Sequence, residues 1–512
     1  MGCCQKKMSK SILFLAHENE VDHILYLASK FSEQGHKVDF FVCDFFSFYA
    51  GDEYVLKKIS EANINIENIF NIKDDLETML NFNDSKNIEI DWKFLRSFEE
   101  KLSYPFIIKN MFNDFTFNEV YSPRDYYFLP KNKDLIFKLV ELLCKKIDSL
   151  KVENYDIVYS ASTTNFCRNI IADLAENKKI PVISIIERFY NTAFIQDTYF
   201  KKLPKYFKEN FDNQELTINF LKNFTKDKPL IRDNPKYLFK DFMKNLILLM
   251  KQNYRLDRWI RLDYNLKKKN KSGNFFLKSF FYVKYTIFRD CFRNYKIYKL
   301  CNENIQYKLD NLPKTKYIYF PMHLVPESGV MNHKKFMDEL FHIQILSKVL
   351  PIDYKIVVKP NPYAFQNYMN QFPFERYYKI SRIPNVIMVG PDVESHFLIK
   401  HSKAVVTVSG SSSLEALFFN KPGFLFSETE FSSVDGINLF DENTFMQIIE
   451  SWDEISFDRK SLYNFISNIL YFGFNEVSEN IIFCSTKKIK EDDKLKIIYD
   501  KILNLLNDNY LN

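Results

Sequence analysis

The chain has 512 residues, which is too long for one hydrophobic core and indicates two or three domains. Hydrophobic residues make up 46% and charged residues 27%, a globular composition with no apolar run of the roughly 18–20 residues that a membrane span needs. The net charge of +6 is small for this length and, without a nucleic-acid-binding motif, argues against nucleic acid as a partner. Eight scattered cysteines without metal-ligand spacing indicate free thiols in a reducing compartment, and we expect a cytoplasmic protein.

The first part of the chain has the pattern of a βαβ unit. Ser11–Ala16 and Lys37–Cys43 are short apolar runs typical of buried strands, and Glu20–Glu33 between them has helical spacing. No Gly-x-Gly-x-x-Gly follows the first run, which disfavours a dinucleotide site. His17 and His23 would lie at the carboxyl end of the first strand, where they could face an acceptor or simply cap the helix.

A second unit of this kind follows a predicted helix over 135–150. Asp156–Ser160 and Val182–Ile186 are predicted strands, and Phe166–Glu176 is the helix between them. Glu187 and Arg188 come directly after the last of these strands. A carboxylate at that position could act as a base or nucleophile toward a sugar, or form an ion pair with nearby basic residues.

Residues 200–310 lose the alternation of strands and helices. The stretch Lys267–Lys296 holds nine lysines and arginines against one acid, Asp290, with phenylalanines and tyrosines interleaved. A basic, aromatic helix suits an anionic membrane surface. It would equally suit a helix between domains, with its lysine stems covering apolar surface.

From residue 314 the α/β pattern returns. Four predicted strands, each ending in a polar or proline-containing turn, are Tyr317–Phe320, Lys355–Val358, Val386–Val389 and Ala404–Val408. Because carboxyl ends of parallel strands meet at one edge of a sheet, these turns should converge on one crevice, where open α/β sheets bind ligands. A charged amphipathic helix over 487–511 ends the chain and could pack back on the first domain.

The last of these turns, Ser409–Ser413, reads Ser-Gly-Ser-Ser-Ser and leads into a predicted helix, Leu414–Asn420, with a short strand after Pro422. Unpaired amides and hydroxyls at such a turn suit an anion, and a phosphate in particular. An ordinary serine-capped turn has the same pattern. Glycine is scarce, with 10 residues in the chain, so Gly410 is expected to hold a special backbone position.

Three motifs occur in this order: PMHLVPES (321–328), VVKPNP (357–362) and TVSGSSSLEALFFNKPGFLF (407–426). Together they resemble the bacterial capsule-polysaccharide biosynthesis family, which includes the Kdo transferases and has the GT-B glycosyltransferase architecture. The resemblance implies an α/β fold with two Rossmann-like domains. We accordingly predict an N-terminal acceptor domain (8–200), a mainly helical basic insertion (201–312), a C-terminal nucleotide-sugar domain (313–475) and a final helix (476–512).

The resemblance also implies a donor site in the C-terminal domain. Ser411 to Ser413 and the Gly410 backbone would hold the phosphate, and Glu415 would accept the ribose hydroxyls or complete a capping box with Ser412. Asn361 stands where the family usually has histidine, so Lys359 would supply the missing positive charge. The predicted donor-binding residues are His323, Glu327, Lys359, Asn361, Ser409, Gly410, Ser411, Ser412, Ser413 and Glu415.

The implied reaction is sugar transfer from a nucleotide-sugar such as CMP-Kdo to a surface glycan or lipid-linked acceptor, without cofactor or metal, by a cytoplasmic or peripheral membrane enzyme. Glu187 is the first candidate for the catalytic carboxylate and Asp197 the second. Three alternatives remain open: a CDP-polyol phosphotransferase of teichoic-acid type, a nucleotide-sugar 2-epimerase, and an inactive donor-binding scaffold of a capsule complex.

Overall fold

The computed structural model describes a large part of the chain. The described residues are 9–17, 20–42, 52–71, 88–103, 106–113, 133–160, 166–188, 192–196, 204, 207–209, 211, 213–226, 289–323, 339–362, 374–452, 458–475 and 492–507.

The first sheet has seven strands. They are β1 (Ser11–Ala16), β2 (Lys37–Val42), β3 (Ile66–Asn71), β4 (Ile157–Tyr159), β5 (Val182–Arg188), β6 (Thr192–Gln196) and, from much later in the chain, β13 (Phe474–Asn475). The strand order is β13-β6-β5-β4-β1-β2-β3. The strands from β5 to β3 are parallel, whereas β6 pairs antiparallel with both β5 and β13.

The second sheet has six strands, all parallel. They are β7 (Lys316–Pro321), β8 (Tyr354–Lys359), β9 (Val386–Met388), β10 (Ala404–Thr407), β11 (Gly423–Leu425) and β12 (Ile437–Leu439), in the order β12-β11-β10-β7-β8-β9. Pro321 lies opposite Lys359 across β7 and β8. Strands β8 and β9 therefore lie in succession on one side of β7, and β10, β11 and β12 lie in succession on its other side.

Helices surround both sheets. The first six are α1 (Val21–Glu33), α2 (Asp52–Glu61), α3 (Trp92–Glu99), α4 (Ile107–Asn113), α5 (Lys133–Ser149) and α6 (Phe166–Asn177). The connecting region contributes α7 (Gln214–Phe224), α8 (Arg289–Asn302) and α9 (Ile305–Asn311). The remainder are α10 (Glu339–Val349), α11 (Phe374–Ser381), α12 (Ser395–His401), α13 (Ser412–Phe418), α14 (Phe445–Ser451), α15 (Arg459–Phe472) and α16 (Asp492–Asn507).

Both sheets are covered on both faces, which explains why their strands are apolar runs without polar alternation. Successive side chains of a strand point to opposite faces. In β1, Ile12 and Phe14 belong to a core with α1 and α2, whereas Leu13 and Leu15 belong to a second core with α3 to α6. The second sheet is built in the same way. The predicted α/β fold class with two Rossmann-like sheets is therefore confirmed.

The two ends of the chain meet on the first sheet. Leu495, Ile498 and Tyr499 of α16 are buried in the core that α1 forms with β1, which confirms that the last helix packs on the first domain. The preceding β13 pairs with β6 of the same sheet. In the connecting region, α7 packs on α15, and α8 contributes Ile297 and Cys301 to a core of the second sheet. The domain boundaries at 200, 312 and 475 stay predictions.

None of the helices in the described ranges is both long and apolar enough to span a bilayer. The greater part of the predicted basic segment, residues 267–288, lies outside the described residues, and α8 is the part of it that can be described.

Candidate functional site

A polar pocket of about 250 Å³ opens at the carboxyl edge of the second sheet. The ends of β7, β8 and β10 converge there, as the sequence predicted, although the turn after β9 does not line it. The strand order reverses between β7 and β10, and a reversal leaves a crevice because the two flanking connections run in opposite directions. The lining residues are Tyr319, Pro321, Met322, His323, Lys359, Pro360, Asn361, Pro362, Ser395, Thr407, Ser409, Gly410, Ser411 and Ser412.

His323 follows β7 and is held by a buried carboxylate. Its backbone N–H donates to Glu339 Oε1 (2.8 Å), and its Nδ1 lies 2.9 Å from the same oxygen. Glu339 opens α10 and is fully buried. Because the oxygen that accepts from the backbone N–H also faces Nδ1, Nδ1 carries the proton, and Nε2 faces Thr407 Oγ1 at 3.2 Å. The imidazole ring is thus fixed in both its orientation and its tautomer at the base of the pocket.

Lys359 ends β8 and brings a positive charge to the pocket although only 3% of its surface is exposed. Its Nζ donates to Ser395 Oγ at 2.8 Å. The half-buried Asp392 is electrostatically coupled to it. Burial raises the pKa of the Asp392 carboxyl, and a hydrogen bond from Tyr298 and the charge of Lys359 oppose that rise. A nearly buried ammonium at a cavity wall is well placed to bind an anion, since little water competes for it.

The turn between β10 and α13 closes the pocket from the third side. Gly410 N–H donates to Thr407 Oγ1 (3.3 Å), and Ser413 Oγ donates to the Gly410 carbonyl (2.9 Å). A Cβ at Gly410 would come within 2.8 Å of Thr407 Oγ1 and 3.0 Å of His323 Nε2. The expectation that Gly410 holds a special position therefore has a steric cause, namely the close approach of the turn to the imidazole.

The serines of this turn have different surroundings. Ser409, Ser411 and Ser412 line the pocket, whereas Ser413 is fully buried and stabilises the turn. Ser411 stands at the N-cap of α13 without a side-chain capping bond, and its Oγ donates to Glu415 Oε1 at 3.3 Å. The helix runs from 412 to 418, slightly earlier than predicted. Glu415 is half-buried and lies behind the lining residues, so its proposed contact with a ribose stays a prediction.

Of the remaining predicted residues, Asn361 lies at the pocket and Glu187 lies on the first sheet. Asn361 lines the pocket just after Lys359. Glu327 and Asp197 lie outside the described residues. Glu187 does not follow a strand that ends at 186: β5 continues to Arg188, and Glu187 pairs with Ala193 in the antiparallel β5–β6 hairpin. The sequence prediction ended this strand too early because a Glu-Arg pair normally marks the end of a buried run.

Sequence reasoning missed three residues of the pocket environment: Glu339, Ser395 and Thr407. Glu339 is an acid within a stretch whose apolar spacing predicts a helix, Phe336–Leu350, and Thr407 belongs to the predicted strand Ala404–Val408. Ser395 follows Glu394 at the start of a helix and reads as a capping residue. A signal existed only for Glu339, because a charge on the inward face of a predicted helix requires a buried partner.

The carboxyl edge of the first sheet is different. His23 is buried and hydrogen-bonded through Nε2 to the Tyr159 hydroxyl, so it does not face an open acceptor site. Burial lowers the pKa of His23 to about 4, against a smaller opposing effect of Glu20. Glu20 itself forms a buried ion pair with Arg168, whose Nη2 lies 2.8 Å from Glu20 Oε2. His17 is half-buried beside the end of β1.

Among the described residues, no group of three or more histidines, cysteines, aspartates and glutamates could hold a metal ion. Metal-independent chemistry stays a prediction. The pocket instead offers a lysine, a histidine, hydroxyls and backbone amides, which are the groups that bind phosphate oxygens.

No family model matches this chain, and no curated protein matches it in sequence. Solved structures similar to it include Anabaena HepE in complex with UDP and glucose, at 12% identity and a TM-score of 0.24, with 98% of this chain and 100% of that chain covered. The Methanocaldococcus jannaschii UDP-GlcNAc 2-epimerase in complex with UDP-GlcNAc and UDP has 13% identity and a TM-score of 0.24, with 91% and 100% covered. KpsC of Thermosulfurimonas dismutans, a beta Kdo 2,7 transferase, has 11% identity and a TM-score of 0.28, with 70% and 89% covered. Scores this low carry no argument about the activity of this chain.

Proposed function

We propose that the protein is a glycosyltransferase that uses a nucleotide-sugar donor, with the donor phosphates bound in the pocket at the ends of β7, β8 and β10. The observation that carries the proposal is the convergence of Lys359, His323 and the Gly410 turn at the crevice where the strand order reverses. A cavity of about 250 Å³ suits the phosphates, while the nucleoside and sugar would extend beyond it.

The pocket also suits the leaving group of the reaction. When the sugar bond breaks, negative charge develops on the terminal phosphate, and fixed donors at that point stabilise it most. Lys359 and the Ser411 backbone amide are such donors, and the resemblance of the three sequence motifs to capsule-polysaccharide transferases supports the same use. Within this proposal the sugar would be Kdo or a related acidic sugar.

The acceptor would approach from the N-terminal sheet. Glu187 is proposed as the catalytic carboxylate, on the β5–β6 hairpin of that sheet, with Asp197 as the second candidate. We also propose that the enzyme works at the inner face of the cell membrane, where a lipid-linked glycan acceptor would be available.

The donor is tested by thermal stabilisation with CMP-Kdo, CMP-sialic acid, UDP-sugars and CDP-glycerol, each with and without chelator. A ligand that binds only the folded state stabilises it by about 2.7 kcal/mol at a hundred times its dissociation constant. One nucleotide-sugar should raise the melting temperature, and the chelator should leave that rise unchanged. If no nucleotide raises it, the donor site is wrong.

The reaction is tested with the donor that binds. Donor hydrolysis or transfer to a glycan that is lost in Glu187→Gln supports the transferase, whereas full turnover in that variant removes Glu187 from the mechanism. Conversion of the donor into its C2 epimer would identify an epimerase. Stabilisation by CDP-glycerol alone would identify a polyol phosphotransferase. Binding of a donor without turnover would identify a scaffold.

A further inference from the structure

The outer face of α8 joins that of α11 in an exposed patch of aromatic and basic side chains. Phe292, Tyr295, Lys296 and Lys299 are spaced i, i+3, i+4 and i+7, so they share one face of α8. Phe292 is 60% exposed and Tyr295 is 50% exposed. The two lysines are also exposed. Large aromatic rings in water on a helix face indicate an interaction surface.

The patch continues onto α11 through direct contacts. Lys296 Nζ lies 4.5 Å from the centroid of the Phe292 ring and 5.6 Å from that of Phe374. The ring centroid of Phe374 lies 6.0 Å from that of Tyr378, and Tyr378 is 48% exposed. We call these six residues the α8–α11 patch: Phe292, Tyr295, Lys296, Lys299, Phe374 and Tyr378.

The charge around the patch is positive. Lys379 and Arg382 are exposed at the end of α11, and Glu375 is the one exposed acid among the described side chains of both helices. The sequence that leads into α8 continues this character, since Lys267–Lys296 holds nine basic residues and one acid. The complementary partner is therefore anionic and must also accept aromatic rings.

The opposite face of α8 is fixed to the second sheet. Ile297 and Cys301 are fully buried in its core, and the Tyr298 hydroxyl donates to Asp392 at 2.9 Å. Asn302 packs against Gly390, where a Cβ would meet its side chain. Asp392 in turn lies near enough to Lys359 of the pocket for the lysine charge to act on its carboxyl.

We propose that the α8–α11 patch binds the anionic phospholipid headgroups of a membrane surface, with its aromatic rings at the headgroup level and its lysines on the lipid phosphates. Phenylalanine and tyrosine rings are stable at the boundary between headgroups and acyl chains, and each lysine adds attraction to an anionic leaflet. A soluble polyanion would engage the lysines but leave the apolar rings in water. The inference deepens the membrane part of the proposed function and rests on it only for the biological setting.

The test is co-sedimentation of the full chain with vesicles of phosphatidylglycerol and phosphatidylcholine, or of phosphatidylcholine alone. The protein should bind the anionic vesicles at least about twentyfold more tightly, because the patch holds two exposed lysines. Lys296→Gln with Lys299→Gln should weaken that binding by about tenfold or more, because each lysine contributes about a fivefold factor. Phe292→Ser with Tyr295→Ser and Tyr378→Ser should weaken it by a similar factor.

A matched control is Trp92→Ser with Lys93→Gln, an exposed aromatic and lysine pair on α3, which should bind within about twofold of the wild type. Equal binding to both vesicles, or unchanged binding by both patch variants, overturns the proposal. Loss in the lysine variant alone would identify a general polyanion site and would overturn it too. The assay contains no nucleotide or acceptor, so a negative result would overturn the membrane proposal without bearing on the donor site. Conversely, Lys359→Met should bind the vesicles as the wild type does.

Discussion

The carboxyl edges of the two sheets carry similar residues but use them differently. At the second sheet, Lys359 and His323 line an open pocket. At the first sheet, Glu20 and Arg168 form a fully buried ion pair, and His23 is buried against Tyr159. Similar strand ends therefore line a cavity at the second sheet, whereas the described residues at the end of the first sheet form a buried polar cluster. A charged residue at a strand end indicates a binding site only where its partners leave a cavity beside it.

The largest expected effect comes from breaking the buried ion pair of the first sheet. Arg168→Met leaves the Glu20 carboxylate buried without its guanidinium, and we expect the free energy of unfolding to fall by about 3–5 kcal/mol in urea titrations. Adding Glu20→Gln should recover more than half of the loss, because the uncompensated charge is then removed. A loss below about 1 kcal/mol in the single variant would show that the pair is solvated.

The next effect is on the pH dependence of stability. His23 is neutral in the fold because burial lowers its pKa to about 4, whereas an unfolded histidine titrates near 6.5. Between these values the unfolded state binds more protons, so stability falls as the pH falls through this window, by up to about 3 kcal/mol. His23→Phe should remove that part of the slope in denaturant titrations from pH 7 to pH 4. An identical slope in the variant would contradict a buried, neutral His23.

At the open edge, Lys359→Met should weaken binding of the nucleotide by about tenfold to a hundredfold in calorimetric titrations, because a charge-assisted phosphate contact is lost. Stability should not fall, since a nearly buried ammonium is replaced by an apolar side chain. The control is Lys355→Met, on the same strand but away from the pocket. If both variants bind the nucleotide equally well, the phosphates lie elsewhere.

Gly410→Ala tests how closely the turn approaches His323. The added Cβ would press on Thr407 Oγ1 and His323 Nε2, so we expect a loss of about 1–3 kcal/mol in stability and weaker nucleotide binding. Adding Thr407→Ala removes one of the two crowded atoms and should raise the melting temperature toward that of wild type. Unchanged melting and binding in the single variant would show that the turn moves away without cost.

The smallest effect is expected at the buried partner of His323. Glu339→Leu removes the oxygen that accepts from both the His323 backbone N–H and Nδ1, which releases the imidazole from its tautomer and disturbs the contact with Thr407. Nucleotide binding should weaken by about threefold to tenfold. Nitrogen-15 NMR of the imidazole should report the changed tautomer. Glu339→Asp keeps the carboxylate and should keep the original tautomer; loss of that tautomer in the aspartate variant would assign Glu339 a packing role alone.

Much of the fold follows from local pattern in the sequence. Buried parallel strands are short apolar runs, and the runs at 11–16, 354–359 and 404–407 are visible because helices with clear periodicity separate them. The β5–β6 hairpin was missed because its pairing is between two stretches that have no alternation of polar and apolar residues. The pairing of β13 with β6 joins residues hundreds of positions apart, and no local signal carries such a contact.

The candidate site was predictable to the extent that it lies on strand ends. His323, Lys359 and Gly410 were found because each follows or ends an apolar run. Glu339 could not be predicted as a site residue, because its role depends on a contact with His323 that forms only in the folded chain. His23 shows the opposite error, since its sequence position suggested a site while its burial against Tyr159 excludes one. Burial and partner choice depend on tertiary packing.

A crystal structure of the protein soaked with the nucleotide of the donor that raises its melting temperature is the most direct measurement of the donor site. We expect the nucleotide phosphate within about 3 Å of Lys359 Nζ and of the Ser411 backbone amide. We also expect Glu20 and Arg168 to stay buried and paired. A phosphate bound beside that ion pair, or anywhere else while the pocket holds only water, would contradict the proposed donor site.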